Sequence, residues 1–215
     1  MSGKFITLEG GEGVGKSTQL KVVQATLQQA GLNVVMTREP GGTERAERIR
    51  ELLLARDSEP MPSSCELLLM FAARATHLHN VIKPALQRGD WVVCDRFTDA
   101  SYAYQGYGRG LPLEDIRELE RMVHPDIQPD MTLLLDAPVE LGMRRAQQRS
   151  VSGAQDTDRF ETEQLGFFER VRLGYNIRAG EHPARFRIID ASQPLDNVSA
   201  AIRDVVMQFV QASRS

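Results

Sequence analysis

The stretch Gly10-Gly11-Glu12-Gly13-Val14-Gly15-Lys16-Ser17-Thr18 puts four glycines into six residues, directly after the apolar run Phe5-Ile6-Thr7-Leu8-Glu9. The run is rich in β-formers and reads as a short buried strand, while bare backbone after it permits a loop that no Cβ obstructs. Beyond the loop, Leu20, Val23, Leu27 and Ala30 recur at helical spacing over Lys16–Ala30, and Gly31 supplies the stop. A strand, a wide glycine loop and a helix in that order commit the start of the chain to layered α/β packing.

The alternation continues. Asn33–Thr37, with Val34-Val35-Met36, reads as a second strand; Arg38–Thr43 is a loop, and Thr43 with Glu47 opens a helix to about Arg56. From Ser63 or Ser64 to about Gln87 the pattern is helical. Its first half, Cys65–Ala73, is apolar around most of its circumference and must be covered on several sides, by the rest of the domain or by a second subunit. Trp91–Asp95 and Met131–Asp136 are continuous apolar runs ending in an aspartate, as central strands buried on both faces should be, and Arg185–Asp190 reads as a fifth strand. Helical patterns fill the gaps at Leu113–Val123, Pro138–Arg149, Glu161–Ala179 and Leu195–Ala212. The expected fold is a single α/β domain over residues 1–215: five parallel strands, helices on both faces, right-handed crossovers and binding groups at the strands' carboxyl ends. The polar interval Ser150–Asp158 reads as a mobile surface loop.

At 215 residues one domain is the natural size, and a formal charge of −3 argues against a chain built to neutralise nucleic-acid phosphates. No apolar run is long enough for a membrane span, and the start of the chain has no signal-peptide pattern, so the expected location is the cytoplasm with no membrane partner. The two cysteines, Cys65 and Cys94, fall in apolar patterns and are expected to be buried free thiols.

Gly10, Gly15, Lys16 and Ser17 satisfy G-x-x-x-x-G-K-[ST], with the strand before and the helix after that the motif requires. Backbone N–H groups from Gly10 through Thr18 can wrap phosphate oxygens only where no Cβ intrudes, and the helix N-terminus adds its dipole. Lys16 would reach the β- and γ-phosphates of ATP, and Ser17 would place its hydroxyl on Mg²⁺. The motif alone covers GTPases, ATPases and small-molecule kinases. No Asn-Lys-x-Asp segment follows a late strand, and Asp95 is followed by Arg96 rather than by a second acid. Arg144, Arg145 and Arg149 before the polar loop, with Arg159 after it, are arranged as in a kinase lid, placed within about 144–160.

At this point the chain resembles the bacterial thymidylate kinase family of P-loop nucleoside monophosphate kinases, over nearly its whole length. The segments that carry the likeness are Thr37-Arg38-Glu39-Pro40-Gly41-Gly42-Thr43, Asp95-Arg96-Phe97, Ser101-Tyr102-Ala103-Tyr104-Gln105-Gly106, and Pro129-Asp130 leading to Asp136. The resemblance implies transfer of the γ-phosphate of ATP to dTMP, with Mg²⁺ as cofactor and a homodimeric assembly. It implies that Arg38 and Arg96 grip the acceptor 5′-phosphate, for which guanidinium forks are suited. Phe71 is implied to stack on thymine and Arg74 to bond the base's edge, with Ser101 and Gln105 alongside and Tyr104 near the sugar's 2′ position. Asp95 would bind Mg²⁺ through water as a Walker B carboxylate, with Glu161 a weaker candidate.

Transfer through a loose transition state needs alignment, neutralised charge and exclusion of water, and an ionised acceptor phosphate needs no strong base. No basic residue lies among Gly11, Glu12, Gly13 and Val14, so the positive charge at the transferring group must come from Lys16, Arg96 and the lid, where Arg149 is the first candidate and Arg145 and Arg159 its rivals. Glu12 cannot stabilise a phosphoryl group directly; it is expected on the acceptor side, bonding the sugar's 3′-hydroxyl or orienting Arg38 or Arg96. Two other readings stand beside this one: a P-loop kinase with a different nucleotide or nucleoside acceptor, and an ATPase subunit of a DNA-processing assembly. The acidic balance and the missing hydrolytic acid pair disfavour the second. His77, His79, His124 and His182 share no spacing that suggests a metal site.

Overall fold

The computed structural model describes residues 3–55, 59–151, 160 and 163–214, with residues 149–151 in backbone only. Strands β1 (Phe5–Glu9), β2 (Val34–Arg38), β3 (Trp91–Asp95), β4 (Met131–Asp136) and β5 (Phe186–Asp190) form a five-stranded sheet in the order β2-β3-β1-β4-β5. Every pairing is parallel. Ile6 of β1 registers with Val93 on one side and Met131 on the other. The chain leaves β1 toward β2, returns to β3, and then crosses to β4, so the direction of travel reverses around β1. Such a reversal opens a crevice at the strands' carboxyl ends.

Alternation along each strand divides the core. Ile6 and Leu8, Trp91 and Val93, and Met131, Leu133 and Leu135 join one cluster with Val23 and Leu27 of helix α1 (Lys16–Gln29) and Ile202 and Val206 of helix α9 (Leu195–Arg214). Phe5, Val92 and Cys94 point the other way and pack with Leu78, Ile82 and Ala85. Those three belong to a long helix built from α3 (Ser63–His77), a π-helical turn at Leu78–Ile82 and α4 (Lys83–Gln87). Period-two alternation between two apolar faces is why the central strands read as unbroken apolar runs.

The strand expectations hold to within a residue at each end. Helix α2 (Glu44–Leu54) is capped by the Thr43 hydroxyl, which accepts from the Ala46 N–H at 3.1 Å; it ends at Leu54 rather than near Arg56, which lies outside the described residues. Helix α6 (Leu113–Val123) is as expected, α7 (Val139–Val151) runs on to Val151, and α8 (Leu165–Glu181) begins after the expected Glu161. Glu161, Arg159 and residues 152–158 of the expected loop lie outside the described residues.

Helix α5 (Thr98–Ser101) and the π-helical turn Tyr102–Gly108 that continues it have no counterpart in the sequence reading. Tyr102 through Gly106 are all buried, so this helix lacks the polar stripe that reveals a helical period. One other expectation is corrected. Cys94 is buried but Cys65 is exposed, because Cys65 lies on the outer face of α3. The same face carries Leu68, 58% exposed, so the chain covers one side of α3 through Leu67, Phe71 and Arg74 and leaves the other open.

Candidate active site

The loop between β1 and α1 takes the conformation its glycines allow. Gly10 has φ 140, Gly13 φ 69 and Gly15 φ 96, values L-residues rarely adopt. Gly15 immediately precedes α1, whose N-terminus has no side-chain cap and whose first turn carries no acidic side chain, so no protein carboxylate competes there for an anion. Gly13 and Gly142 of α7 approach so closely that a Cβ on either would run into the other segment's backbone carbonyl, which docks the glycine loop against α7. Lys16 Nζ donates to the carbonyls of Gly10 and Gly11, at 3.1 and 2.8 Å. Burial and then the repulsion of Arg96 lower its pKa, an electrostatic deficit that a bound polyphosphate would relieve.

Beside this loop lies an open cleft, lined among others by Glu12, Arg50, Met70, Arg74, Arg96 and Tyr104. Arg96 and Glu12 form the wall that it shares with the glycine loop. Arg96 follows β3 at φ 67, the only non-glycine residue with positive φ among those described. Its Nη1 donates to the Gly10 carbonyl at 2.9 Å and the Tyr175 hydroxyl at 3.0 Å, and its Nη2 to Glu12 Oε1 at 2.7 Å. Its guanidinium lies 4.7 Å from the Tyr104 ring centre, a cation–π distance. Burial works against its charge, and Tyr104, Tyr175 and Glu12 more than restore it. Glu12 Oε1 also accepts from the Tyr104 hydroxyl at 2.8 Å. Of the partners expected for Glu12, the structure brings it to Arg96 and not to Arg38.

Arg74 forms the far wall. Its Nε donates to Glu39 Oε2 at 2.7 Å, and Nη2 to the Phe97 carbonyl and to Ser101 Oγ, at 3.2 and 3.1 Å. Its Nη1 is buried with no partner among the described residues, a donor left for whatever enters the cleft. Glu39, the acid of the loop after β2, also meets His77 Nδ1 at 3.0 Å. Burial alone would raise its pKa, but Arg74 and His77 outweigh it and hold the carboxyl below its usual range. The fixed carboxylate thus aims Arg74. Gln105 lines the same cleft and donates to Glu66 Oε1 at 2.8 Å.

Two residues expected at the cleft are elsewhere. Phe71 packs with Leu67, Tyr102 and Ile116, and Met70, one position earlier, lines the cleft in its place. One residue on a helix is a rotation of about 100°, enough to turn the ring into the core. The exposed Arg38 donates to Glu47 Oε2 at 2.8 Å, rather than pairing with Glu39 or Asp95. Among the lid arginines, Arg145 donates to the Ala191 carbonyl at 2.8 Å and Arg144 is exposed; the side chain of Arg149 lies outside the described residues. Nothing in the sequence marked Arg50, Glu9 or Tyr175, although all three bound or support the cleft. Only a tertiary contact reveals them.

For a divalent cation, the fitting observation is at the end of β3. Asp95 Oδ1 is buried without a partner among the described residues, and Ser17 stands exposed in the first turn of α1. A hard oxygen with an unused lone pair suits Mg²⁺.

A five-stranded parallel sheet in this order, a phosphate loop entering α1 and a second cleft sharing Glu12 with that loop define a P-loop nucleotide kinase. A family model for thymidylate kinase matches residues 8–202. The chain is 58% identical over 214 residues to a thymidylate kinase of Pseudomonas entomophila, with all of both chains covered. It is 54% identical over 210 residues to that of Teredinibacter turnerae, covering 98% of this chain and 100% of the relative. The crystal structure of thymidylate kinase from Ehrlichia chaffeensis matches with a TM-score of 0.74 at 32% identity, covering 98% of this chain and 99% of that one. The chain belongs to the thymidylate kinase family.

Proposed function

We infer that this protein transfers the γ-phosphate of ATP to dTMP, giving dTDP and ADP for dTTP synthesis. Family membership supports the activity, and the observation that carries its geometry is the unpartnered Arg74 Nη1 in the wall of a cleft that shares Glu12 and Arg96 with the phosphate loop. The amides from Gly10 through Thr18 hold the donor phosphates, with Lys16 at the β- and γ-positions. Arg96, fixed by Gly10 and Glu12, holds the acceptor phosphate and offsets the repulsion between the two polyanions. Arg74 and Ser101 meet the base, and Met70 supplies an apolar face against it. Tyr104 crowds the sugar, and Glu12 orients both Arg96 and the Tyr104 hydroxyl. Asp95 and Ser17 would hold Mg²⁺, which supplies charge neutralisation at the phosphates.

We assign residues 1–215 to one kinase domain with a lid within about 144–160, whose arginine at the transferring group is Arg149. Arg38 joins the acceptor site by exchanging Glu47 for phosphate. The protein works as a cytoplasmic homodimer, a reading supported by the open face of α3 and, among the described residues, by the lack of any helix long and apolar enough to cross a membrane.

The test is incubation with ATP, Mg²⁺ and a panel of nucleoside monophosphates, following ADP and diphosphate formation. Selective conversion of dTMP is expected. Preference for another acceptor, or DNA-stimulated hydrolysis without transfer, overturns the assignment.

A further inference from the structure

Arg96 meets the cleft from a backbone conformation that does not favour it and at the end of a long side chain with many rotamers. Something must hold its fork in one direction if it is to grip phosphate bidentately. Gly10 O is a shared acceptor, because Lys16 Nζ uses the same carbonyl at 3.1 Å that Arg96 Nη1 uses at 2.9 Å. The other acceptor of Nη1 is the Tyr175 hydroxyl at 3.0 Å. Tyr175 is 1% exposed on α8 and does not line the cleft, and its hydroxyl in turn donates to Glu9 Oε2 at 2.8 Å. The second oxygen of Glu9 accepts from the Phe97 N–H at 2.7 Å, so one carboxyl secures both the backbone just after Arg96 and the hydroxyl beneath its guanidinium.

We propose that Tyr175, held by Glu9, is a positioning residue for the acceptor phosphate that acts through Arg96. The proposal rests on the reading of Arg96 as the acceptor grip. Tyr175 stands 79 positions from Arg96 and Glu9 stands 166 from Tyr175, so three distant segments fix one guanidinium.

A double-mutant cycle tests it. Tyr175→Phe removes one oxygen and keeps the ring; it is expected to raise KM for dTMP about tenfold while KM for ATP stays within about twofold. Arg96→Lys loses the planar fork and is expected to lower kcat/KM for dTMP about a hundredfold. In the Arg96→Lys background Tyr175→Phe should add less than about a twofold effect, since the group it positions is gone. Glu9→Gln, which keeps the volume and puts an amide in place of the carboxyl that holds the Tyr175 hydroxyl, goes through the same cycle and should show the same non-additivity should Tyr175→Phe fail to fold. Equal losses from Tyr175→Phe in both backgrounds, or wild-type kinetics in the single variant, overturn the proposal. If Arg96→Lys itself leaves dTMP kinetics unchanged, the fault lies with the grip assignment instead.

Discussion

Glu9 ends β1 with no exposed surface, and burial together with the charge of Asp99 pushes its carboxyl up to about 8, against the pull of Arg96, Tyr175 and the Phe97 N–H. An unfolded glutamate titrates near 4.5. Below that value both states are protonated and the stabilising contribution is complete; as pH rises the unfolded chain ionises first, and the contribution is lost by the time pH passes 8. Glu9→Gln cannot titrate, so the Tm of wild type relative to that variant should fall by about 5 °C or more between pH 5 and pH 8.5. A difference independent of pH would show that Glu9 is ionised throughout. At this scale the sequence was legible where a motif ties side chain to backbone, as with Lys16 and Gly15, and illegible where the phase of a helix decides. Met70 and Phe71 are both apolar and adjacent, and only the packing of α3 against Tyr102 and Ile116 turns Phe71 inward.

Helix α7 crosses the glycine loop with Gly142 against Glu12 and Gly13. Alanine is ordinarily the better helix former by about 1 kcal/mol, so Gly142→Ala on an open helix would stabilise. Here the added methyl meets a backbone carbonyl that has no alternative rotamer, and a destabilisation of about 1–3 kcal/mol is expected instead. Displacing that carbonyl also displaces the loop, so KM for ATP should rise in the same variant, read by denaturation and initial-rate kinetics. Stability and KM both at wild-type values would mean that the loop yields freely. Elements with one polar face, such as α2 and α6, were legible because their period shows. The π-helical turn at Tyr102–Gly108 was not, since a helix wrapped by neighbours has no stripe to display.

For the whole molecule, the open face of α3 matters most. Cys65 and Leu68 lie three residues apart and both are exposed, though their helix buries Leu67 and Phe71 on the other side. An apolar face of that kind fits a second copy of the chain. If the homodimer proposed above forms through this face, wild type sediments at twice the chain mass and Leu68→Glu should bring it to one chain mass, with the cleft residues untouched. A variant that stays at twice the chain mass would place the contact elsewhere, and a wild-type mass of one chain would overturn the proposed homodimer. The α/β class, the parallel sheet, the phosphate loop and even the ends of the central strands follow from the sequence by itself. Apolar runs, helical periods and glycines are local signals, and local steric and hydrophobic rules convert them directly into elements. The tertiary structure alone decided that Glu12 meets Arg96 rather than Arg38, that Glu39 meets Arg74, and that Tyr175, bonded to Glu9, meets the Arg96 guanidinium. Those contacts join segments separated by 35 to 166 positions, and nothing in a local pattern records which distant partner the packing will deliver.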